Sequence, residues 1–162
     1  MRDNWNTSIT GDSVMLVPYK RCFVEKYHSW MQNTTLLDAT ASEPLSLEEE
    51  YDMQKLWRHD DKKCTFIVLL KGCHIDSHNS ELDSMAGDVN IFLNDFYDKH
   101  NAEIEIMIAE PRYRRCGVAT EALKLMMHYG ATKLKITRFF AKINRKNVGS
   151  TALFKRYDTI VY

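Results

Sequence analysis

The 162-residue sequence lacks several features that would point to particular classes of protein. Its 22 basic and 22 acidic side chains balance, so net charge gives no indication of a nucleic-acid or membrane partner. No apolar run approaches the roughly 20 residues that a membrane-spanning helix needs. The first residues lack the apolar core of a signal peptide, which predicts a cytoplasmic or nuclear location.

Metal-ligand and nucleotide-binding motifs are also missing from the sequence. The 4 cysteines form no C-x-x-C pair, and we expect reduced thiols. Cys73, His74 and His78 are close together, but no second ligand pair stands at zinc-like spacing, so we expect a solvated loop and no metal. Neither G-x-x-x-x-G-K-[ST] nor G-x-G-x-x-G occurs. Any phosphate site must therefore use another pattern.

The most informative segment is EIEIMIAEPRYRRCGVATEA, residues 103–122. Its first part has a period of two, which predicts a half-buried strand with isoleucines on one face and Glu103, Glu105 and Met107 on the other. After Pro111, apolar residues recur at helical spacing from Val118 onward. The segment therefore places a helix start, with free backbone N–H groups and the positive end of a helix dipole, just beyond a strand. Such a start suits a phosphate, and a plain strand-to-helix turn is the alternative.

The order of the other predicted elements indicates a mixed α/β (α+β) domain, residues 1–162, with a mostly antiparallel sheet flanked by helices. We predict a first strand at Val14–Tyr19, for which an edge position is one option because Pro18 lacks an N–H. Further strands are predicted at residues 65–70, 87–93, 103–108 and 138–143, with a strand start at 159–162. We predict helices at residues 20–32, 46–58, 118–129 and 147–157; Ser46 and Glu49 have the spacing of a capping box. Polar loops are expected after Gln32 and over residues 71–86.

Two motifs in this order resemble the GCN5-related N-acetyltransferase (GNAT) family. Arg114 to Ala119 reads Arg-x-x-Gly-x-Ala, like the family's acetyl-CoA pyrophosphate loop, and Asn147 to Phe154 resembles the Asn-x-x-Ser-x-x-x-aromatic pattern of its last helix. The runs MLVPY, TASEPLSLEEEYDMQKLW, CTFIVL, GDVNIFLND and EIEIMIAEP are more narrowly similar to the N-acetyltransferase nine family. That eukaryotic branch lies near the ribosomal-protein acetyltransferases.

The resemblance implies an acetyl-CoA-dependent N-acetyltransferase that acts on a primary amine, with a protein N-terminus as the acceptor and tubulin as a candidate. A small-molecule amine acetyltransferase is one alternative, since fold does not fix substrate. A non-catalytic module that binds a partner such as the microtubule is another. At the end of the chain, residues 155–159 replace the usual turn, so we expect the family's C-terminal hairpin to be truncated.

The resemblance also implies which residues bind acetyl-CoA. The strand backbone would pair with the pantetheine arm, the loop amides would take the pyrophosphate, and the last helix would contribute two polar side chains. These residues are Met107, Ile108 and Ala109 on the strand, Arg114, Arg115, Cys116, Gly117, Val118 and Ala119 in the loop and helix start, and Asn147 and Ser150. Simple helix capping is the alternative for Asn147 and Ser150.

A general base is needed because the acceptor amine arrives mostly as an ammonium. Glu105 is the first candidate, mid-strand on the face opposite the isoleucines, and Glu103 on the same face is the second. Asp88 and Asn90 on the neighbouring strand are further candidates. An ordinary solvated strand face remains the alternative for both glutamates. At the position where many relatives carry a proton-donating tyrosine this chain has Phe154, which cannot donate, and Tyr157 is expected to pack in the core.

Overall fold

A computed structural model describes residues 4–72, 80–157, 160 and 161. One sheet runs through it, and its seven strands stand side by side in chain order. The first five strands are antiparallel, whereas β5, β6 and β7 are parallel to one another. The strands are β1 (Ile9–Thr10), β2 (Val14–Pro18), β3 (Lys63–Leu70), β4 (Met85–Phe92), β5 (Asn101–Ile108), β6 (Arg138–Ala141) and β7 (Ile160–Val161).

Within the described parts of the chain, six α-helices cover the two faces of this sheet. They are α1 (Val24–Trp30), α2 (Thr34–Thr40), α3 (Leu47–His59), α4 (Ser80–Ser84), α5 (Val118–Lys133) and α6 (Val148–Phe154), with short 3-10 turns at Arg21–Phe23, Pro111–Tyr113 and Lys155–Tyr157. None of the described helices is long and apolar enough to cross a membrane. The predicted mixed, mostly antiparallel fold is confirmed.

The core forms two apolar layers, one on each side of the sheet. On one side α5 and α6 pack on alternate strand residues, including Leu16, Phe66 and Ile104. On the other side α1, α2 and part of α3 cover the intervening residues, including Ile67 and Met107. Because successive side chains of a strand point to opposite faces of the sheet, each strand contributes residues to both apolar layers.

Several predicted elements are observed and others need correction. The capping box at Ser46 and Glu49 is present at the start of α3. The polar loop expected after Gln32 is wrong, because Asn33 accepts hydrogen bonds from the amides of Thr35 and Leu36 and so begins α2. The loop expected at 71–86 is also wrong at its end, where α4 and the start of β4 lie; Cys73, His74 and His78 fall outside the described residues.

Two further predictions about strands are corrected. β2 lies inside the sheet, between β1 and β3, and is not an edge strand. Pro18 is tolerated because β1 pairs only with Met15 and Leu16 and ends short of it. β5 is not half-buried: helices cover both of its faces, and Glu103 and Met107 are buried opposite the isoleucines. Glu105 is the exception, with an exposed side chain.

We expect Gly87→Ala to destabilise the protein by about 3 kcal/mol or more, the scale of severe overpacking. A Cβ at Gly87 would overlap the carbonyl oxygen of Met107 on β5, and backbone at that point cannot give way cheaply. Gly149→Ala is the matched control, since its Cβ would meet only Asn147 Oδ1 at 3.8 Å. Urea unfolding of both variants measures the difference. Equal midpoints would show that the sheet adjusts at this contact.

Candidate active site

The site is built where β5 and β6 separate. The two parallel strands pair at only three positions, which are Asn101 with Arg138, Ala102 with Phe139, and Glu103 with Phe140. β5 continues to Ile108, whereas β6 ends at Ala141. Among the described residues, no strand pairs with the β6-facing edge of β5 from residue 104 to residue 108.

The backbone alternation of β5 decides which groups point into this gap. Residues of an antiparallel pair alternately direct both backbone groups toward and away from the neighbouring strand. Ala109 donates its amide to the carbonyl of Ala86, which fixes the phase of the alternation toward β4. Ile106 and Ile108 therefore direct their N–H and C=O groups toward the gap. The sequence had indicated Met107, Ile108 and Ala109, and of these Ile108 has the suitable orientation.

The loop after β5 turns sharply before it enters α5. Arg115 has φ 64° and Gly117 has φ 86°, both in the left-handed region. Glycine is the residue that adopts this conformation without strain, and Gly117 is the N-cap of α5. Among the described residues other than its chain neighbours, no heavy atom lies within 4 Å of the position that a Cβ on Gly117 would take. Gly117 has no side chain that could cap the first amides of this 16-residue helix.

Arg114 holds the loop against the end of β5. Its Nε donates to the carbonyl of Ile108 at 2.8 Å, and its Nη2 donates to the carbonyl of Ala109 at 2.9 Å. Arg115, Cys116 and Gly117 are exposed. The predicted loop residues therefore differ in position: Arg114 ties the loop to the strand, and its neighbours face outward.

A strip of polar side chains crosses the sheet beneath α1 and α3. Thr65 on β3 donates to Asn90 on β4 at 2.6 Å, and Asn90 donates to Asp88 at 2.8 Å. Asp88 also accepts from the Tyr27 hydroxyl at 3.4 Å. Asp88 is 2% exposed, and burial raises its pKa. This hydrogen-bonded chain leads to Glu105, which stands opposite Asn90 on β5.

Glu105 combines access to solvent with a perturbed acidity. The residue is exposed as a whole, yet the protein around its carboxyl desolvates it. That desolvation, together with the charge of Glu103 and with a smaller effect of Asp88, raises the pKa of Glu105 to about 6. Lys63 and Lys142 oppose the rise. A carboxylate with this pKa can accept a proton near neutral pH and release it again.

Glu103 forms an ion pair at the point where the β5–β6 pairing ends. Lys142 Nζ lies 2.6 Å from Glu103 Oε2, and the lysine side chain is 66% exposed while the glutamate side chain is 7% exposed. The pair joins β5 to the residue that follows β6. Glu103 is thus neither solvated nor uncompensated, and Glu105 is the glutamate open to an incoming amine.

Lys63 is a buried cation on the same face of the sheet. Its Nζ lies 3.1 Å from the centre of the Trp57 ring and 4.5 Å from that of Phe92. Burial lowers its pKa to about 8, against the raising effect of the Asp88, Glu105 and Asp60 charges. The positive charge of Lys63 lowers the pKa of both Asp88 and Glu105 and so opposes the repulsion between these two carboxylates.

The predicted residues of the last helix lie near its start and its end. Asn147 is the N-cap of α6, and its Oδ1 accepts from the Ser150 amide at 3.0 Å, which is the capping alternative. Phe154 is buried in the core. The Tyr157 hydroxyl donates to the carbonyl of Thr120 in the first turn of α5 at 2.9 Å. The structure places Asn147 and Ser150 on a different element from Glu105, and their predicted contact with the pantetheine arm stays a prediction.

Sequence reasoning missed Ile106, Lys142, Lys63 and Tyr27. Only Ile106 had a signal of its own, since it lies within the patterned strand and its backbone phase follows from strand pairing. The others reach the strip through side chains from distant parts of the chain. In the part of the chain that the structure describes, no group of three or more His, Cys, Asp or Glu side chains could hold a metal ion.

A cavity of about 290 Å³ lies beside this site, between α1, α2 and the end of β5. Its lining includes Trp30, Asn33, Ala109, Glu110 and Arg114, but not Glu105. Burial acts to raise the pKa of Glu110, yet hydrogen bonds from Lys26 and Trp30 lower it overall. The cavity therefore adjoins the loop and not the candidate base.

Comparison with known proteins identifies the family. A family model described as an acetyltransferase (GNAT) domain matches residues 14–159. The chain belongs to the GNAT acetyltransferase family. It is 53% identical over 156 residues to an N-acetyltransferase 9-like protein of Nematostella vectensis. That alignment covers 96% of this chain and 79% of the relative. It is 48% identical over 157 residues to the alpha/beta-tubulin-N-acetyltransferase 9 of Mus musculus, covering 96% of this chain and 65% of the mouse protein.

Solved structures show the same fold. The spermidine N-acetyltransferase from Vibrio cholerae, solved in complex with CoA and spermine, superposes with a TM-score of 0.75. The match covers 91% of this chain and 81% of that chain at 17% identity. The predicted family, the GNAT fold and the enzyme class of N-acetyltransferase are confirmed.

Glu50→Gln should stabilise the protein at high pH and have little effect at low pH. Glu50 on α3 is 2% exposed, its Oε2 lacks a hydrogen-bond partner among the described residues, and burial raises its pKa from 4.5 to about 7. A raised acid pKa means that the folded state holds its proton longer, so stability falls as pH rises from about 4.5 to about 7. The neutral glutamine removes that fall.

Melting temperatures of the two proteins at about pH 5 and about pH 8 check this expectation, since the two values bracket the titration. Glu48→Gln, an exposed neighbour on the same helix, is the matched control. A Glu50→Gln effect of the same size at both pH values would show that Glu50 does not titrate in the folded protein.

Proposed function

We propose that this protein transfers an acetyl group from acetyl-CoA to the primary amine of a protein N-terminus. The observation that carries the proposal is one juxtaposition. The unpaired edge of β5 runs between Glu105, whose carboxylate is suited to accept a proton, and a helix start that no side chain of its N-cap residue caps.

The residues around the gap fit the extended shape and the charge of acetyl-CoA. An amide-containing pantetheine arm would pair with the backbone of β5 as an added strand through Ile106 and Ile108, since the backbone groups of Met107 and Ala109 point toward β4. The pyrophosphate would lie on the amides of Arg114, Arg115, Cys116, Gly117, Val118 and Ala119, where the dipole of α5 favours negative charge. Asn147 and Ser150 would flank the arm from the start of α6.

The proposed chemistry is direct acyl transfer. Glu105 takes a proton from the bound ammonium, directly or through a water molecule, and the free amine attacks the thioester carbonyl. The tetrahedral intermediate then collapses: the C–S bond breaks, the CoA thiolate leaves, and the nitrogen loses its second proton to solvent or to that thiolate. Phe154 has no proton to give that thiolate, and Tyr157 already donates its hydroxyl hydrogen to Thr120. We therefore assign no protein residue as the thiolate's acid.

The acceptor is inferred from charge and from the relatives. Glu103, Glu105 and Asp88 form an acidic face that favours a cation, and this chain is 48% identical to a mouse protein named as an alpha/beta-tubulin N-acetyltransferase. Tubulin N-termini are therefore the proposed acceptors, which places the proposed activity in the cytoplasm near the microtubule. Nothing in the charge balance favours nucleic acid or a membrane as partner.

A panel of acceptors tests this assignment by mass spectrometry. Peptides with the N-termini of α- and β-tubulin, the same peptides with blocked N-termini, and spermidine are incubated with acetyl-CoA. Acetylation of the free peptide N-termini alone supports the proposal. Acetylation of spermidine alone would assign a small-molecule amine acetyltransferase, and binding of acetyl-CoA without any product would assign a non-catalytic module.

Acetyl-CoA should raise the melting temperature of the protein, and Gly117→Glu should remove the shift. Only the folded state presents the loop amides, so binding stabilises it. Glutamate at this position brings bulk, negative charge and a strained φ to the place proposed for the pyrophosphate. Lys124→Glu, exposed on the same helix, is the charge control and should keep the shift. An unchanged shift in Gly117→Glu would exclude this loop as the phosphate site.

Glu105→Gln should lower turnover by roughly 10²-fold while acetyl-CoA still binds, because glutamine keeps the shape but not the basicity. In the unaltered enzyme kcat/KM should fall as pH drops through about 6, where Glu105 becomes protonated. The loss caused by the variant should shrink at high pH, where more amine is already neutral.

Glu103→Gln is the matched comparison, since it alters the other carboxylate on the same face. We expect it to shift the pH profile of kcat/KM and to leave a larger residual turnover than Glu105→Gln. Full activity in Glu105→Gln at every pH would move the role of base to Glu103 or to solvent.

A further inference from the structure

Lys142 places an amine beside the gap in which acyl transfer is proposed. In the parallel pairing, Phe140 stands opposite Glu103. Lys142 follows the last residue of β6, and it lies near enough to Glu105 for its charge to act on that carboxylate. Its Nζ lies 2.6 Å from Glu103 Oε2, so this primary amine is held on the acidic face that also carries the candidate base.

Lys142 has the freedom that a reacting amine needs. Its side chain is 66% exposed, and Glu103 is its one carboxylate partner among the described residues. Lys63 is the instructive contrast on the same face. It is 7% exposed and lies between the rings of Trp57 and Phe92, so its amine cannot turn toward an acyl group.

We propose that Lys142 is a site of self-acetylation, at which the protein transfers an acetyl group from its own bound acetyl-CoA to the Lys142 side chain. The proposal rests on the function proposed above, because it uses the same base and the same bound thioester. The Lys142 ammonium gives one proton to Glu105, and its nitrogen forms a C–N bond to the acetyl carbonyl carbon. The C–S bond breaks, and the electron pair leaves with the CoA sulfur. The nitrogen loses its second proton to that thiolate or to solvent, which leaves a neutral amide, and Glu105 returns its own proton to solvent.

The modification would alter the site that performs it. An acetylated Lys142 has no charge, so its ion pair with Glu103 is lost. The opposing cation next to Glu105 is lost as well. In the unmodified protein, the Lys142 ammonium and the ammonium of an acceptor would compete for the Glu103 carboxylate. Acetylation of Lys142 ends that competition.

The test is incubation of the purified protein with acetyl-CoA and no acceptor, followed by intact-mass measurement and peptide mapping. We expect a mass increase of one acetyl group, located at Lys142, with a first-order rate that does not change with protein concentration. Lys142→Arg keeps a positive charge but lacks the reactive amine, and it should lose the label. Lys124→Arg, exposed on α5, is the matched control and should keep it.

Two further arms separate enzymatic transfer from spontaneous chemistry and from failure of the parent proposal. Glu105→Gln should label more slowly than the unaltered protein by about the factor it shows with peptides. Equal labelling of Lys142 and of other exposed lysines such as Lys124, or a rate proportional to protein concentration, would overturn the proposal. A preparation that acetylates peptides but never labels Lys142 overturns self-acetylation alone. A preparation that binds acetyl-CoA and modifies neither amine overturns the parent function as well.

Discussion

The three-residue length of the pairing between β5 and β6 is the constraint on which the site depends. A strand edge in water presents unpaired N–H and C=O groups that other chains or ligands can use. Here such an edge is internal to the sheet, because β6 pairs with the start of β5 and then leaves it. The opening is therefore shielded from edge-to-edge association by β6 and β7 while it stays open to an extended ligand.

The site also depends on the charged and polar groups that surround Glu105. A strip of Thr65, Asn90, Asp88 and Tyr27 brings polar groups under the helices, and each buried carboxyl or amide in it has a hydrogen-bond partner. Desolvation of Glu105 and the charge of Glu103 raise its pKa to about 6, while Lys63 and Lys142 limit the rise. Asp88 is the member of the strip that acts on Glu105, through a smaller charge effect.

Local sequence signals predicted the parts of the fold that local physics determines. The alternation in β5, the Ser46–Glu49 capping box and the start of α5 at Gly117 depend on neighbours within a few residues, and the structure contains all three. α2 was missed because its Thr-rich sequence has weak helix propensity, and the Asn33 cap starts it instead. β1 has two residues, too few for any period to show.

The site was predictable only in part, because its main contacts are distant in sequence. Glu105 and the loop at 114–117 lie in one patterned segment and could be found together. Lys142 and Glu103 are 39 residues apart, and Tyr27 and Asp88 are 61 apart, so no local pattern reports either contact. The orientation of the Ile106 and Ile108 backbones required the register between β4 and β5.

The hydrogen bond from Tyr157 to the carbonyl of Thr120 ties the region after α6 to the first turn of α5. Helix ends open locally at a lower free energy than helix centres, and amide hydrogen exchange reports that opening. Opening of the region after α6 breaks this bond, so the first turn of α5 then loses one of the contacts that hold it. Amide exchange at the start of α5 is therefore expected to increase when that region is loosened.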